Sequence, residues 1–378
     1  MRTCLVFRAV RPAVTLALGT VLALVGLVPA PASAAATTGA VYVLTNQKSN
    51  AVLIYARAAD GTLKISGSVP TGGAGLGTGA DPLGSQGSLV LGRWGRLLFA
   101  ANAGSNDLSV FAVKGSALEL DLLDRASSGG TMPVSIAVHG SLVYVLNAAG
   151  TTPNIQGFFV DASTGHLNHL AGSERPLPGG KASSAAEVAF TPDGDTLVVT
   201  EKGTNKIDTW HVNDEGFAED GQVTDSSGAT PFGFDFARGD VVVVSEAGSG
   251  TMSSYEVEED QPVEPLTRAL SDTQKADCWV VVTRSGKFAF TTNTGSGSIS
   301  SYQIVRGGYL ALLNPVAANT GAGTTPVDMA LSGGGRFLYV REAMKGVVDG
   351  FQVESDGSLT PVTSAKGVPA GAQGVAAR

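Results

Sequence analysis

Cysteine is nearly missing from this 378-residue chain, with only Cys4 and Cys278 present. Cys4 falls in an N-terminal stretch expected to be cleaved, so no internal disulfide is available and stability must come from packing. Histidine is scarce too, at four residues. No G-x-S-x-G, H-E-x-x-H, C-x-x-C or P-loop occurs, which removes serine-elbow hydrolases, zinc proteases, dithiol redox proteins and P-loop nucleotide enzymes from consideration. Gly75-Leu76-Gly77-Thr78-Gly79-Ala80 loosely fits a dinucleotide fingerprint, but no helical pattern follows it, so it reads as a long loop. Charge is low, at 15% of residues, where about 25% is usual. Long helical periodicity is absent. The one long apolar run is Ala13 to Val28, behind Arg2, Arg8 and Arg11 and ahead of Ala32-Ser33-Ala34. That grammar predicts a signal peptide over 1–34 and an exported mature domain over 35–378.

Loss of three arginines leaves 22 basic residues against 33 acids, a net charge of about −11. An acidic surface disfavours nucleic acid and anionic membranes as partners. The expected partner is a small molecule and the expected state a monomer, free of the membrane once the signal is cleaved.

What the chain has in quantity is glycine, 50 residues, and short runs rich in Val, Ile, Tyr, Phe and Thr bounded by turn residues. These are signatures of many short strands. Seven copies of one pattern begin at Val41, Leu97, Leu142, Thr196, Val241, Phe288 and Phe337, spaced by 56, 45, 54, 45, 47 and 49 residues. Each copy has an apolar strand ending in Asn or Glu, a polar turn, and a strand carrying Tyr55, Phe111, Phe159, Trp210, Tyr255, Tyr302 or Phe351. A weaker third strand follows, and a further strand and tight turn precede the next copy. Four antiparallel strands in seven units predict an all-β seven-bladed propeller. The first copy lacks an innermost strand, and Gly371 to Ala377 reads as that strand, so the C-terminus is expected to join the first blade and close the ring.

FAANAGSNDLSVFAV, TPDGDTLVVTEKGTNKIDTW, GATPFGFDF, TTNTGSGSISSYQI and TTPVDMALSGGGRFLYV carry a resemblance to the lactonase-type seven-bladed propellers, covering about 41–378. That family includes bacterial 6-phosphogluconolactonases and fungal 3-carboxymuconate cyclases. The resemblance implies histidine and arginine near the inner strands as groups that polarise a lactone or carboxylate. The matching stretches here, at Met132-Pro133, Thr230-Pro231, Cys278-Trp279 and Thr325-Pro326, hold no histidine. His139, His166, His169 and His211 fall elsewhere and read as surface or packing residues.

Aligning the copies puts Asn46, Asn102, Asn147, Glu201, Glu246, Asn293 and Glu342 at one position per blade, where propellers keep their sites. Asn there suits turn capping. Glu suits it less, so Glu201 and Glu246 are the expected catalytic carboxylates. Asn102, Asn147, Glu187, Lys202, Phe232, Trp279, Asn293, Asp328, Arg341 and Glu342 are expected to line the substrate. No cofactor or metal site is expected, though several carboxylates and Asn oxygens could collect a hard cation such as Ca²⁺. Residues 70–87 are expected to cover part of the channel mouth. Two functions fit: an exported lactone hydrolase or ring-opening or ring-closing lyase of muconate-cyclase type, and a non-catalytic propeller that binds a small ligand, glycan or protein.

Overall fold

Alternating apolar residues and Asn/Gly turns make each repeat a hairpin, and stacking makes the hairpins a ring. The computed structural model describes residues 37–378 apart from 78, 93 and 94 and, before them, only Met1 and Ala9. The segment read as a signal peptide lies outside the described residues. Seven antiparallel sheets follow one another, each with its inner strand at the axis and its fourth strand outermost. The inner strands of blades 2 to 7 are Leu89–Gly92, Thr131–His139, Ala185–Phe190, Pro231–Phe236, Asp277–Val282 and Pro326–Leu331. Blade 3 carries a short extra strand, Arg175–Pro176, beside its third strand.

Blade 1 takes its inner strand from the C-terminus, as expected. Val375–Ala377 pairs antiparallel with Thr37–Leu44, setting Val41, Tyr42 and Val43 against Ala377, Ala376 and Val375. Closure gives the first blade its fourth strand and covers the edge of Thr37–Leu44. One hydrophobic cluster sits at each of the seven blade interfaces; Tyr144, Leu146, Val188, Val199 and Trp210, for example, join blades 3 and 4. Because each sheet is covered on both faces, its second strand is buried: Val241–Glu246 and Phe337–Glu342 are buried along their whole length, with an apolar run of four residues leading into the polar end. Tyrosines latch neighbouring blades. Tyr42, Tyr144 and Tyr339 donate to the carbonyls of Ala117, Gly216 and Gly61 in the following blade, at 2.7–2.9 Å.

One aromatic assignment changes. Phe159 is exposed, and it is Phe158 that is buried. Phe158 pairs with Val143 as Trp210 pairs with Leu197, so the repeat's aromatic position in blade 3 is one residue earlier.

The chain enters five inner strands through the same strained step. Met132, Ser184, Thr230, Ala276 and Thr325 have φ of 45–63°, a region L-residues seldom occupy. A register shift follows in each of these strands. Such bulges re-aim side chains, and here they lie beside Glu187, Phe232, Trp279 and Asp328.

Candidate functional site

The twelve residues singled out from the sequence divide evenly. Six are withdrawn into the turns after the second strands, and six converge on the axis. In the first group, Asn102, Asn147, Glu201, Glu246, Asn293 and Glu342 are all 0% exposed. Three of them, Asn147, Glu201 and Glu246, clamp backbone. Asn147 donates to Ser128 O at 3.0 Å. Asn102 Oδ1 accepts from Asn50 and Thr71. Glu201 accepts from Gly179 N–H at 3.0 Å and from the Thr204 hydroxyl. Glu246 accepts from Gly228 N–H, Ser226, Thr251, Ser253 and Tyr255. Asn293 meets Ser298 and Ser300. Glu342 lies against Thr324 and Thr320, and burial lifts its carboxyl to about 7. The expectation that Glu201 and Glu246 face substrate is therefore corrected. Glu201 and Glu246 accept from backbone N–H where Asn147 in a sister blade donates to backbone C=O, and all three hold the loop that leads into the inner strand.

The second group meets at the axis, but under a plug. The chain over 75–77 and 79–88 leaves blade 1, crosses the face of the inner-strand starts and pushes into the channel. Gln86 Nε2 donates to Phe234 O and Val280 O at 3.0 and 2.9 Å, while its Oε1 accepts from Val280 N–H at 2.9 Å. Trp279 Nε1 and Gln373 Nε2 both donate to Ser85 O at 2.9 Å. Lys202 donates to Gly84 O and stands 4.8 Å over the Phe232 ring, which packs on Trp279. Arg341, fully buried, donates to Ala80 O at 2.8 Å and faces the carboxylates of Asp328, Asp81 and Glu342. Burial lowers Arg341 to about 10 and lowers Lys202 as well. Gly233 is required here, because a Cβ would collide with Gln86 Oε1. The loop at 70–87 covers the mouth, as its length suggested, and covers it fully enough to occupy Lys202, Trp279 and Arg341.

Below the plug the channel opens toward the opposite face. A cavity of about 420 Å³ is walled by Leu89, Val281, Met329 and Val375 and bears three carboxylates, Glu187, Asp235 and Asp328. Glu187 accepts from Phe234 N–H at 2.7 Å; burial, with Asp235 and Asp328 nearby, pushes it well above the usual carboxylate range. Asp235 accepts from Val282 N–H at 2.6 Å and Phe236 N–H at 2.8 Å, and burial raises it to about 6. Asp328, itself at φ 59°, is lifted by burial to about 7 against the pull of the N–H groups of Met329, Gly374 and Val375. Asp235 was missed in the sequence; its signal is a lone carboxylate alternating with Phe232, Phe234 and Phe236 on an inner strand. The channel continues into a mouth of about 640 Å³ formed by the turns between inner and second strands of blades 5, 6 and 7. Among the described residues no three His, Cys, Asp or Glu side chains converge as a metal site.

Cys278 is buried, and desolvation raises its thiol to about 12, so it is inert. His139 is exposed on the turn face, while His166 and His211 lie 3.4 and 3.3 Å from Asp124 and Glu259.

The chain covers 90% of its length on a Lactobacillus plantarum protein and 99% of that protein, with a TM-score of 0.70 at 17% identity. A Pseudomonas aeruginosa protein described as a periplasmic gluconolactonase aligns over 89% of this chain and 98% of its own, with a TM-score of 0.66 at 16% identity. A Bacteroides fragilis protein described as a candidate 6-phosphogluconolactonase gives 0.66 at 17%, over 89% and 97%. At such identities the likeness is one of fold. No curated protein matches the chain. The family described as "Lactonase, 7-bladed beta-propeller" matches residues 34–179, 172–278 and 259–376, nearly the whole described ring, and the chain belongs to it.

Proposed function

We propose that this protein is an exported hydrolase of a small lactone, working in the central channel and entered from the face opposite the plug. One observation carries the reading: a closed-ended channel of about 420 Å³ holds Asp235 and Asp328 at about 6 and about 7. A general base and a general acid work best when their pKa values lie near the operating pH. Ionised Asp235 takes a proton from water as the water oxygen bonds to the lactone carbonyl carbon. Protonated Asp328 gives its proton to the ring oxygen as the acyl–oxygen bond breaks. The products are a hydroxy acid and a regenerated pair after one proton passes between the carboxyls. Glu187, raised by burial and held by Phe234 N–H, shapes the wall. Family membership supports the lactone, and the periplasmic gluconolactonase among the relatives supports both lactone and export.

The test is a panel of lactones assayed with the mature protein and its Asp235→Asn and Asp328→Asn variants, with Glu201→Gln as a control for the clamp position. Turnover that survives in both Asp variants removes these residues from the chemistry. The second reading, a propeller that binds without reacting, is favoured by the lack of an imidazole among the residues lining the channel. Absence of turnover across the panel, with a ligand still bound, would select it.

A further inference from the structure

The mouth opposite the plug is lined by side chains with no role so far. Arg238 and Arg284 occupy equivalent turns in blades 5 and 6, and both border the cavity of about 640 Å³ that leads to Asp235. Both are exposed. Neither guanidinium makes a hydrogen bond or ion pair with any described residue, although the chain carries eight more acids than bases. Their placement is built into the repeat. The stem of Arg238 lies over Gly286 of the next blade, where a Cβ would come within 2.9 Å of its Cγ. Arg284 lies likewise over Gly335, at 4.0 Å. Each glycine is also the left-handed residue of its turn, with φ of 67° and 70°. Gly286 thus both makes the tight turn and leaves room for the Arg238 stem.

Acidic side chains nearby are confined to one side, and the C-terminal carboxyl group, beside Gly333, accepts hydrogen bonds from Arg57. Asp240 is raised by burial and by Asp193 and Asp195, so these three crowd together between blades 4 and 5. Blades 6 and 7 present no carboxylate to the cavity. Two guanidiniums without a protein partner border the same recess, and each offers planar N–H pairs that match carboxylate and phosphate oxygens bidentately.

We propose that Arg238 and Arg284 form an oxyanion-recognition site on this face, which takes a small ligand bearing one carboxylate or phosphate and orients the rest of it down the channel. The inference rests on the channel being the working site, and its test separates the two ideas. The probes are malonate and inorganic phosphate, titrated by calorimetry into the mature protein at low ionic strength. The expected result is binding of at least one probe, weakened by about tenfold or more in the Arg238→Ala/Arg284→Ala double variant. The Lys/Lys double variant is expected to fall between, because it keeps charge and loses the fork. Arg306→Ala, which removes an exposed arginine elsewhere, is expected to bind like the parent. The single alanine variants carry the same test should the double variant not fold. Equal binding in all variants, or no binding of either probe to the parent protein, overturns the site. Oxyanion binding without turnover of any lactone would leave this site standing and remove the proposed activity. Turnover indifferent to both arginines, on lactones with and without a carboxylate, would do the reverse.

Discussion

Glu246 accepts five hydrogen bonds at a position with no exposure, and that defines what its removal does. Glu246→Ala strands Gly228 N–H and four hydroxyls inside blade 5, and is expected to cost about 3 kcal/mol or more. Urea denaturation measures this, and activity per folded molecule should stay at the parent level. A loss of activity without a loss of stability would return Glu246 to the chemistry. The position was legible in the sequence, because seven repeats align on it. Its orientation was not, because Asn and Glu can both point into the turn, and Ser226 and Gly228 lie 20 and 18 residues away in a loop without pattern. The reverse holds for Asp235, whose place between Phe234 and Phe236, which pack on the blade 4–5 core, marks a side chain on the other face of the strand. For that residue the expected outcome is a bell-shaped pH profile. Activity should rise as Asp235 ionises near 6 and decline as Asp328 loses its proton near 7. Asp235→Asn should abolish the acid limb along with most of the rate.

At the scale of elements, the hairpins were readable and the plug was only half so. A hairpin is local, and its period of two and its turn residues stand side by side in the chain. The plug makes its contacts with Phe234, Val280 and Gln373, 148 to 290 residues away, through a Gly-rich segment with no periodicity of its own. Length and glycine content could announce a loop over the mouth, but not that Gln86 would complete the hydrogen bonding of two inner strands. Gln86→Ala leaves Val280 N–H and two carbonyls without that partner and should cost about 1–3 kcal/mol. It should also loosen the cover on Trp279, whose indole N–H is held by Ser85 of the same segment. A red shift of tryptophan emission and new proteolytic cleavage within 75–88 are the expected signs. Unchanged emission and an uncut loop would mean that Lys202 and Arg341 hold the plug without Gln86.

The whole molecule carries its acids unusually. Asp235, Asp328 and Glu342 titrate at about 6, 7 and 7 in the folded protein, each raised chiefly by burial. In the unfolded chain they return to about 4. The folded state therefore binds protons more tightly than the unfolded state between these limits. Stability from this source is fully present below about pH 4 and is lost as pH rises through 6 and 7. Exposed turn carboxylates such as Asp60, Asp161 and Asp356 are lowered by hydrogen bonds from neighbouring Thr or Ser, and they act in the opposite direction, but only below the ordinary carboxylate range. From pH 5 to pH 8 the raised groups dominate, so Tm is expected to fall by several degrees across that span. Calorimetric scans of the parent and of the Asp235→Asn/Asp328→Asn variant decide the matter. The variant should be the more stable of the two at pH 8 and should show a flatter curve. A Tm that climbs from pH 5 to 8 would mean the channel carboxyls are solvated like surface acids, and with that the case for poised acid and base at the axis would fail. The two properties share one cause: an apolar channel wall that makes a carboxyl reactive near neutrality also makes its ionised form a burden on the fold.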